Sequence, residues 1–551
     1  MKIRSFFLLA VLVLLASIGC HNTQNKALYR LAVTTVYISH AGAGSMNGTS
    51  CSDAEPYSYF NNSSNWTSSP SGIQIGPGAV VHLCSETYVD STADDTALQF
   101  QCATASGTSA NPITLIADQG VTNLYNSAYW NGDDPPNGPG GAIWNTGSCT
   151  YVVINGDNNL TIANQTSNGS PTNGTGLENS TNSAGIYMGN CTYCTIENVT
   201  VKNIYVNQGS SSGASDSNGI NSAGIGIVEN STGSVIKGNT ITSASVGIQL
   251  ATDPNGDASN TFISNNTISD SHWSINVGGG DSGDTINPVN INGNNITNWT
   301  NWQFPTSAYH TDGIILYNVG NPSAGIIANI YDNYTYGNLG VGSPTGFIYC
   351  ADFSSCTLFN NIIVNTGNTI YGLMWLGQSS DMGTNMNVYN NTIIGATSND
   401  VCIMLNITGA GNIENNICTG PSGMDVYNSY WSSLSQFEAT VSTSNYNDWN
   451  IGSGNAWGSQ ASSATASYAS WKSAGYEANS IQSSPDLNSG PYTLASRSPS
   501  IGLGSNLTSL GIAELKVGAP QTFGASGSCG SGCLTRVASG AWDAGAYPYT
   551  E

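Results

Sequence analysis

The chain has 551 residues, and because only 8% of them are charged, helix-forming Glu, Lys and Arg are scarce and most of the fold is predicted to be strand and turn. At 39% hydrophobic residues it can still bury a large core, which excludes a wholly disordered protein. The formal net charge of −23, with ten Lys and Arg in all, excludes nucleic acid as a partner and disfavours polyanionic substrates unless cations intervene.

Residues 1–20 have the pattern of an export signal. A basic start (Lys2, Arg4) precedes an apolar run that is too short to span a membrane. The run ends in Ser-Ile-Gly-Cys20, which resembles the bacterial lipoprotein signal, in which the cysteine is lipidated. Serine stands where leucine is usual, so cleavage without lipidation is the alternative. We expect a secreted or cell-surface protein of a bacterial envelope, with a linker over 21–35 and membrane contact only through such an anchor.

Twelve cysteines remain after Cys20, an even number that predicts disulfides in an exported protein. Several fall in local pairs, namely Cys191 and Cys194, Cys350 and Cys356, Cys402 and Cys418, and Cys529 and Cys533. A zinc site at the first pair is disfavoured, because no second pair or histidine lies nearby.

A repeated motif dominates the chain from residue 150 to 420. Each copy has an apolar residue, a gap, an asparagine and then alternating apolar or β-branched residues, and the copies are 25 to 41 residues apart. The nine asparagines are Asn159, Asn198, Asn239, Asn266, Asn295, Asn333, Asn361, Asn391 and Asn416. Most copies follow a second strand-like unit, such as "GIILY" at 313–317. Two or more short strands per repeat, stacked on a shared core, predict a parallel β-helix.

An inward asparagine at the same corner of every coil can bond the coils above and below it. The nine asparagines therefore resemble the asparagine ladder of right-handed parallel β-helix proteins of the pectate-lyase-like superfamily. "IGPGAVVHLCSETY" (75–88) and "SGTSANPITLIAD" (106–118) resemble the opening coils of such proteins. "SRSPSIGLGS" (496–505) and "WDAGAYPY" (542–549) are similar to the C-terminal segment of bacterial surface-anchored members. The resemblance implies an all-β solenoid with long loop insertions, in a superfamily of lyases, hydrolases and adhesins.

The expected organisation is one elongated domain. The β-helix is predicted over 36–420, and 421–480 is predicted to be an irregular insertion or less regular coils, with a short helix around 465–475. Residues 481–551 are expected to close the β-helix.

Aligning the coils on the second strand predicts which side chains face outward. The predicted inward column is Ile275, Ile314, Phe347, Leu373 and Ile403, and the predicted outward column is Asn276, Ile315, Ile348, Met374 and Met404. Four adjacent apolar side chains on an outer face predict either a covering loop, for which 298–310 is the candidate, or an apolar floor for a ligand.

The same alignment places Asp270 and His272 one coil from His310 and Asp312, which are the predicted catalytic residues. The predicted substrate-binding aromatic residues close to them are Trp273, Trp299, Trp302 and Tyr309. Aromatic rings stack on sugar faces, and two carboxyls about 5 to 10 Å apart suit glycoside hydrolysis. The alternative is structural, because His-x-Asp-Gly before a strand also forms a turn in which Asp binds backbone N–H groups.

Ca²⁺ is the one cofactor that the sequence suggests. Asp281 and Asp284 lie in the Gly-rich stretch "GGGDSGDT", whose carboxylate and carbonyl oxygens could hold it. Their spacing matches no defined calcium loop, so solvated turns are the alternative.

The expected function is that of an exported protein that binds or acts on a polysaccharide or cell-surface glycan. No arginine lies between Arg30 and Arg497, and the resemblance implies that lyases of this fold use Lys or Arg, so glycosidase chemistry is favoured over lyase chemistry. The alternative is a non-catalytic structural or adhesive surface protein.

Overall fold

The computed structural model describes most of the chain from residue 34 onward. The described residues are 34–92, 95–127, 130, 140–164, 183–205, 222–252, 255–279, 284–300, 311–318, 326–339, 344–351, 353–368, 370, 372–377, 385–397, 400–407, 410–420, 424–428, 441–450, 455–459, 465–510, 516–517, 534–536 and 539–549.

One sheet has 13 strands, and each strand pairs in parallel with the strand of the next coil, apart from the last pair, which is antiparallel. Its strands are Leu98–Phe100, Ile143–Asn145, Ala184–Gly189, Ala223–Val228, Val246–Thr252, Trp273–Gly279, Asp312–Asn318, Ile348–Cys350, Met374–Leu376, Val401–Leu405, Met424–Asn428, Asn455–Ser459 and Thr465–Ala466.

A second sheet has 22 strands and forms the other two walls of the solenoid. Its strands are Thr34–Ser39, Glu55–Pro56, Ala79–Asp90, Ile113–Asn126, Val152–Asn164, Thr195–Ile204, Val235–Lys237, Thr240–Ala244, Thr261–Ser264, Thr267–Ser271, Ile286–Asn292, Asn295–Trp299, Ile326–Tyr331, Tyr334–Gly337, Ser355–Phe359, Ile362–Asn365, Asn385–Tyr389, Thr392–Ile394, Gly411–Glu414, Ile417–Thr419, Val441–Asn445 and Asp448–Asn450. Short pairs outside the walls join Cys149–Thr150 to Cys191–Thr192 and Lys516–Val517 to Leu534–Thr535.

One coil illustrates the architecture. Thr261–Ser264, Thr267–Ser271 and Trp273–Gly279 follow each other around the axis, and each pairs with its counterpart one coil on. Isoleucines alternate inward along these strands and are fully buried, as Ile263 and Ile275 show. Because burying such a side chain contributes about 1.5–3 kcal/mol, the stacked columns supply the core. The predicted right-handed parallel β-helix is confirmed.

A ladder of eight buried asparagines runs along one corner of the second sheet, and its members are Asn239, Asn266, Asn294, Asn333, Asn361, Asn391, Asn416 and Asn447. The Oδ1 of Asn266 accepts hydrogen bonds from the backbone N–H of Asn239 at 3.0 Å and from its Nδ2 at 3.1 Å. The Nδ2 of Asn266 in turn donates to the carbonyl of Ile236 and to the Oδ1 of Asn294. Each rung therefore satisfies polar groups of both neighbouring coils.

Three asparagines that the sequence assigned to the ladder lie beside it. Asn295 is the strand residue that follows the rung Asn294. Asn198 has a left-handed backbone (φ 57°) and aligns with Gly238, which comes one position before the rung Asn239. Asn159 donates to the carbonyl of Ala117 instead. The reason is the corner itself, where a left-handed residue precedes every rung, as at Gly238, Asn265, Gly293, Asp332, Asn360, Asn390, Asn415 and Tyr446. Asparagine also suits that position, so the motif repeats Asn-Asn and its register is ambiguous.

Short helices close both ends of the core. At one end the helix Tyr57–Phe60 and the 3₁₀ helices Cys51–Asp53 and Ser63–Asn65 surround Trp66, whose ring packs edge-on against Phe60. At the other end the helix Tyr468–Ser473 lies within the predicted range. Its buried Trp471 packs 6.1 Å from Trp449 and covers the last coil.

The C-terminal segment begins on the last coil, where Ile481 pairs in parallel with Asp448, and then lies along the outside of the solenoid. Trp542 packs on Tyr331, Phe359 and Tyr389, three outward aromatic residues of successive coils. Arg536 is buried, and its guanidinium donates to the carbonyls of Asp543, Gly545 and Ala546 and to the Oδ1 of Asn360. Burial lowers the pKa of Arg536 to about 10. The 3₁₀ helix Thr508–Leu510 belongs to the same segment.

Four disulfides are present among the described residues. Two are the local pairs Cys191–Cys194 and Cys402–Cys418, and two join successive coils, Cys51–Cys84 and Cys102–Cys149. The predicted pair Cys350 and Cys356 consists of two buried thiols with their Sγ atoms 2.9 Å apart. Cys529, Cys533 and Cys20 lie outside the described residues.

We expect Cys350 and Cys356 to be joined in protein recovered from an oxidising compartment, because only a small side-chain movement separates their sulfurs from bonding distance. The protein should be alkylated under denaturing conditions without reductant, digested and analysed by mass spectrometry. A linked peptide containing both residues is the expected result. Alkylation of both thiols beside four intact disulfides would contradict it.

Candidate functional site

Asp312 begins a strand of the 13-stranded sheet and pairs with Trp273 of the preceding coil. Its side chain is fully buried. The carboxylate accepts hydrogen bonds from the hydroxyl of Thr345 and from the backbone N–H of Gly346, which lie just before the strand of the next coil. Asp312 thus ties two coils together and lacks the exposure that contact with a substrate requires. His310, predicted to act with it, lies outside the described residues.

Asp270 occupies a left-handed backbone position, with φ 54°. The strand register places it in a column with Asn203, Ser243, Asn298 and Gly337, all of which have positive φ. A short polar side chain tolerates this conformation, so the local backbone accounts for an aspartate here. Partial burial raises the pKa of Asp270.

The predicted aromatic contacts divide between core and surface. His272 is buried, and its ring is 6.0 Å from that of Trp273 in an edge-on arrangement. Trp273 packs with apolar residues on the outer face of the 13-stranded sheet. Trp299 is instead a core residue whose ring packs edge-on against Phe347 at 5.1 Å, so its predicted role in substrate binding is wrong. Trp302 and Tyr309 lie outside the described residues.

Of the two residues predicted to bind calcium, one is described. Asp284 is buried and accepts a hydrogen bond from the backbone N–H of Gly256 at 3.2 Å, while Asp281 lies outside the described residues. Within the described part of the chain, no group of three or more His, Cys, Asp or Glu side chains converges as a metal site would require. The calcium site stays a prediction.

The outer face of the 13-stranded sheet carries a continuous column of side chains, one per coil, which we call the outer-face column. Its members are Gln99, Trp144, Tyr187, Gly226, Gln249, Asn276, Ile315, Tyr349, Trp375 and Met404. Neighbouring members are about 4.8 Å apart along the axis, the ordinary spacing between strands.

Two coils differ by one residue from the predicted alignment. Ile348 and Met374, predicted to point outward, are core residues, and Tyr349 and Trp375 take their places on the outer face. The cause is an extra inward residue just before the strand. The backbone N–H groups of Phe347 and Ile348 both bond the carbonyl of Leu373, as in a β-bulge. The sequence does not reveal this shift of one residue, because the positions on both sides of it, Phe347 and Ile348 in one coil and Leu373 and Met374 in the next, are all apolar.

Aromatic rings cluster at the two ends of the outer-face column. At one end the ring centroids of Tyr349 and Trp375 are 5.4 Å apart. Tyr349 is buried in the cluster that contains Trp273 and Ile315, whereas Trp375 packs against that cluster and is partly exposed. At the other end Trp144 and Tyr187 are partly exposed neighbours. The Tyr187 ring lies over Gly226, where an added Cβ would come within 2.6 Å of a ring carbon. The glycine therefore lets this ring lie flat on the sheet.

Amide side chains fill the middle of the outer-face column. The Oε1 of Gln249 and the Oδ1 of Asn276 are neighbours in the register, and neither has a hydrogen-bond partner among the described residues. The Nε1 of Trp375 likewise has no hydrogen-bond partner among the described residues. A shielded polar atom without a partner costs free energy, so these atoms are an unsatisfied feature of this face.

The region around the outer-face column has no cationic side chain. Between Arg30 and Arg497 the sequence contains only three lysines, Lys202, Lys237 and Lys472. The first two lie on the other sheet, where Lys237 pairs with Glu197 at 2.9 Å. The third lies in the helix that closes the core. A uronate polymer would therefore find no protein counter-charge along this face.

The strand pairing defines the class of this protein as a right-handed parallel β-helix. The chain is similar to pectate lyase Pel9A, with a TM-score of 0.44 and 13% identity over 94% of this chain and 96% of that one. It is also similar to a GH136 lacto-N-biosidase from Eubacterium ramulus, with a TM-score of 0.43 and 11% identity over 72% of this chain and 64% of that one. A third similar structure is PfbA, a surface adhesin of Streptococcus pneumoniae, with a TM-score of 0.38 and 16% identity over 69% of this chain and 84% of that one. At these identities a shared chain path says nothing about shared chemistry.

No protein-family model matches the sequence, and no curated protein matches it. In the described part of the chain, no helix has both the length and the apolar character needed to cross a membrane.

Proposed function

We propose that this is an exported protein that binds a neutral polysaccharide along the outer-face column. The observation that carries the proposal is that the partly exposed rings of Trp144, Tyr187 and Trp375 share one face with the partly exposed amide side chains of Gln249 and Asn276. Rings stack on the C–H faces of sugars, and amides bond their hydroxyl groups. A coil rise of about 4.8 Å is close to the length of one pyranose unit, so successive coils can contact successive sugars.

Binding without cleavage is the form of this function that the geometry supports. Hydrolysis needs two carboxyls that reach the glycosidic bond from opposite sides. Asp312 is buried against the turn of the next coil, and the backbone conformation accounts for Asp270. The glycosidase chemistry predicted from these residues therefore ranks below a binding or adhesive role.

Export is part of the proposal and is supported by the disulfides and by the N-terminal segment. Disulfides are typical of oxidising compartments, four are described here, and the N-terminal apolar segment resembles a signal for export to one. Lipidation of Cys20 would hold the mature protein at a membrane surface. The mass of the N-terminal peptide from a native host decides between lipidated and simply cleaved forms.

Replacing Trp375 with alanine is expected to lower the affinity for the bound polysaccharide at least tenfold, because the ring would no longer stack and its Nε1 donor would be lost. Affinity electrophoresis against a soluble β-glucan, a xylan, a galactomannan and polygalacturonate identifies the ligand, and titration calorimetry measures the change. Phe262→Ala is the matched control, because Phe262 is 38% exposed on the other sheet.

Binding to a neutral polymer but not to polygalacturonate supports the proposal. Preference for polygalacturonate, or equal losses in the Trp375 and Phe262 variants, would overturn it. Reducing-end and 235-nm assays on the same polymers are expected to show no product. Product that is formed by the wild type and lost in Asp312→Asn would instead establish the hydrolase alternative.

A further inference from the structure

Two tyrosines occupy a corner where other coils have glycine or asparagine. Tyr151 and Tyr193 have φ values of 51° and 56°, and the register places them in one column with Gly233 (72°) and Asn260 (57°). Glycine and asparagine adopt the left-handed conformation at little cost, whereas a bulky side chain does so at a larger one. The two tyrosines are therefore not required by the turn itself.

The corner is built to hold these rings in place. Tyr193 lies inside the Cys191–Cys194 disulfide loop, and Tyr151 follows Cys149, which is bonded to Cys102. The rings are stacked, with centroids 4.9 Å apart and planes within 11°. Single left-handed tyrosines also occur at Tyr446 and Tyr492, but stacking and disulfide locking distinguish this pair.

The paired rings remain open to solvent. Tyr193 is 48% exposed, the highest value among the exposed aromatic residues of the described chain. The Tyr193 ring lies over Gly233 of the next coil, where an added Cβ would come within 2.3 Å of a ring carbon. The same two coils carry Trp144 and Tyr187 of the outer-face column, six or seven residues earlier. The tyrosine pair therefore borders one end of the proposed binding face.

We propose that Tyr151 and Tyr193 form a second aromatic contact for the same neutral glycan, binding a sugar unit that lies beside the outer-face column. This inference rests on the proposed function and adds a lateral contact to it. Its occupant is a neutral sugar, because exposed rings offer apolar faces and phenol hydroxyls, and no lysine or arginine lies in either coil before Lys202.

The test uses the double variant Tyr151→Asn with Tyr193→Asn, because Asn260 already occupies this corner one coil beyond Gly233. Its thermal midpoint is expected to equal or exceed that of the wild type, since the strained side chains are removed. Its affinity for the neutral polysaccharide that the wild type binds is expected to fall at least tenfold. Tyr446→Asn is the control, because it removes a left-handed tyrosine from a different corner.

A second pair, Tyr151→Phe with Tyr193→Phe, keeps the rings and is expected to retain most of the affinity. An asparagine variant that binds like the wild type would overturn the inference, and so would one that unfolds, because the rings would then be structural. If Trp375→Ala weakens binding while the asparagine variant does not, only the lateral contact fails. If the wild type binds no neutral polymer in the panel, both proposals fail.

Discussion

Replacing Asn266 with alanine is expected to lower the free energy of unfolding by about 4 kcal/mol. The change leaves the backbone N–H and the Nδ2 of Asn239 and the carbonyl of Ile236 without their partner in a buried corner, and each such loss costs about 1–3 kcal/mol. The measurement is the shift in the urea midpoint, followed by circular dichroism and by tryptophan fluorescence.

The adjacent residue supplies the control. Asn265 has φ 55° and lies in a column between Gly238 and Gly293, so Asn265→Gly is expected to change the free energy of unfolding by less than about 1 kcal/mol. Equal losses in the two variants would mean that the ladder contributes no more than the turn that carries it.

Acidification from pH 7 to pH 4 is expected to stabilise the folded protein by about 2 kcal/mol through Asp448 alone. Burial raises the pKa of Asp448 from 3.8 to about 6, and its carboxyl accepts from the hydroxyl of Ser500 at 2.6 Å. Asp448 ionises at a lower pH in the unfolded chain than in the folded protein. Its contribution to stability is therefore greatest below pH 4, falls between pH 4 and pH 6, and is lost above pH 6. Burial also raises the pKa of Glu477 and of Glu414, which adds to the same trend.

The thermal midpoint measured between pH 4 and pH 8 checks this expectation. Asp448→Asn should reduce the fall in the thermal midpoint between pH 4 and pH 6, because the amide does not ionise. Asp157→Asn, at an exposed position, should leave that fall in the thermal midpoint unchanged. An Asp448→Asn variant whose midpoint depends on pH as the wild type's does would contradict the expectation.

The spacing of the asparagine motif was enough to predict the fold, because each coil must repeat the same corner. It was not enough to choose between adjacent asparagines. Asn294 and Asn295 both fit the pattern, and only the left-handed residue at Gly293 decides which of them turns inward. Asn447 was missed because its motif carries Tyr446, rather than Gly, Asn or Asp, at the left-handed position.

The candidate site was harder to predict, for a related reason. An alignment on apolar residues cannot detect a bulge when both residues at the bulge are apolar, so Ile348 and Met374 were predicted on the outer face where Tyr349 and Trp375 lie. The disulfides between coils, Cys51–Cys84 and Cys102–Cys149, were missed because their partners are 33 and 47 residues apart and only the coil geometry joins them.

The asparagine ladder has a direction. Every rung donates through Nδ2 to the rung that follows in the chain, and the last, Asn447, donates to the carboxyl of Glu477, which also accepts from the hydroxyls of Ser444 and Ser480. Interior rungs are therefore interchangeable, whereas the final group has to accept bonds without passing one on. A protein built this way can change length during evolution by gaining or losing whole coils from its middle, while its C-terminal end, with its acidic terminator, must be kept as a unit.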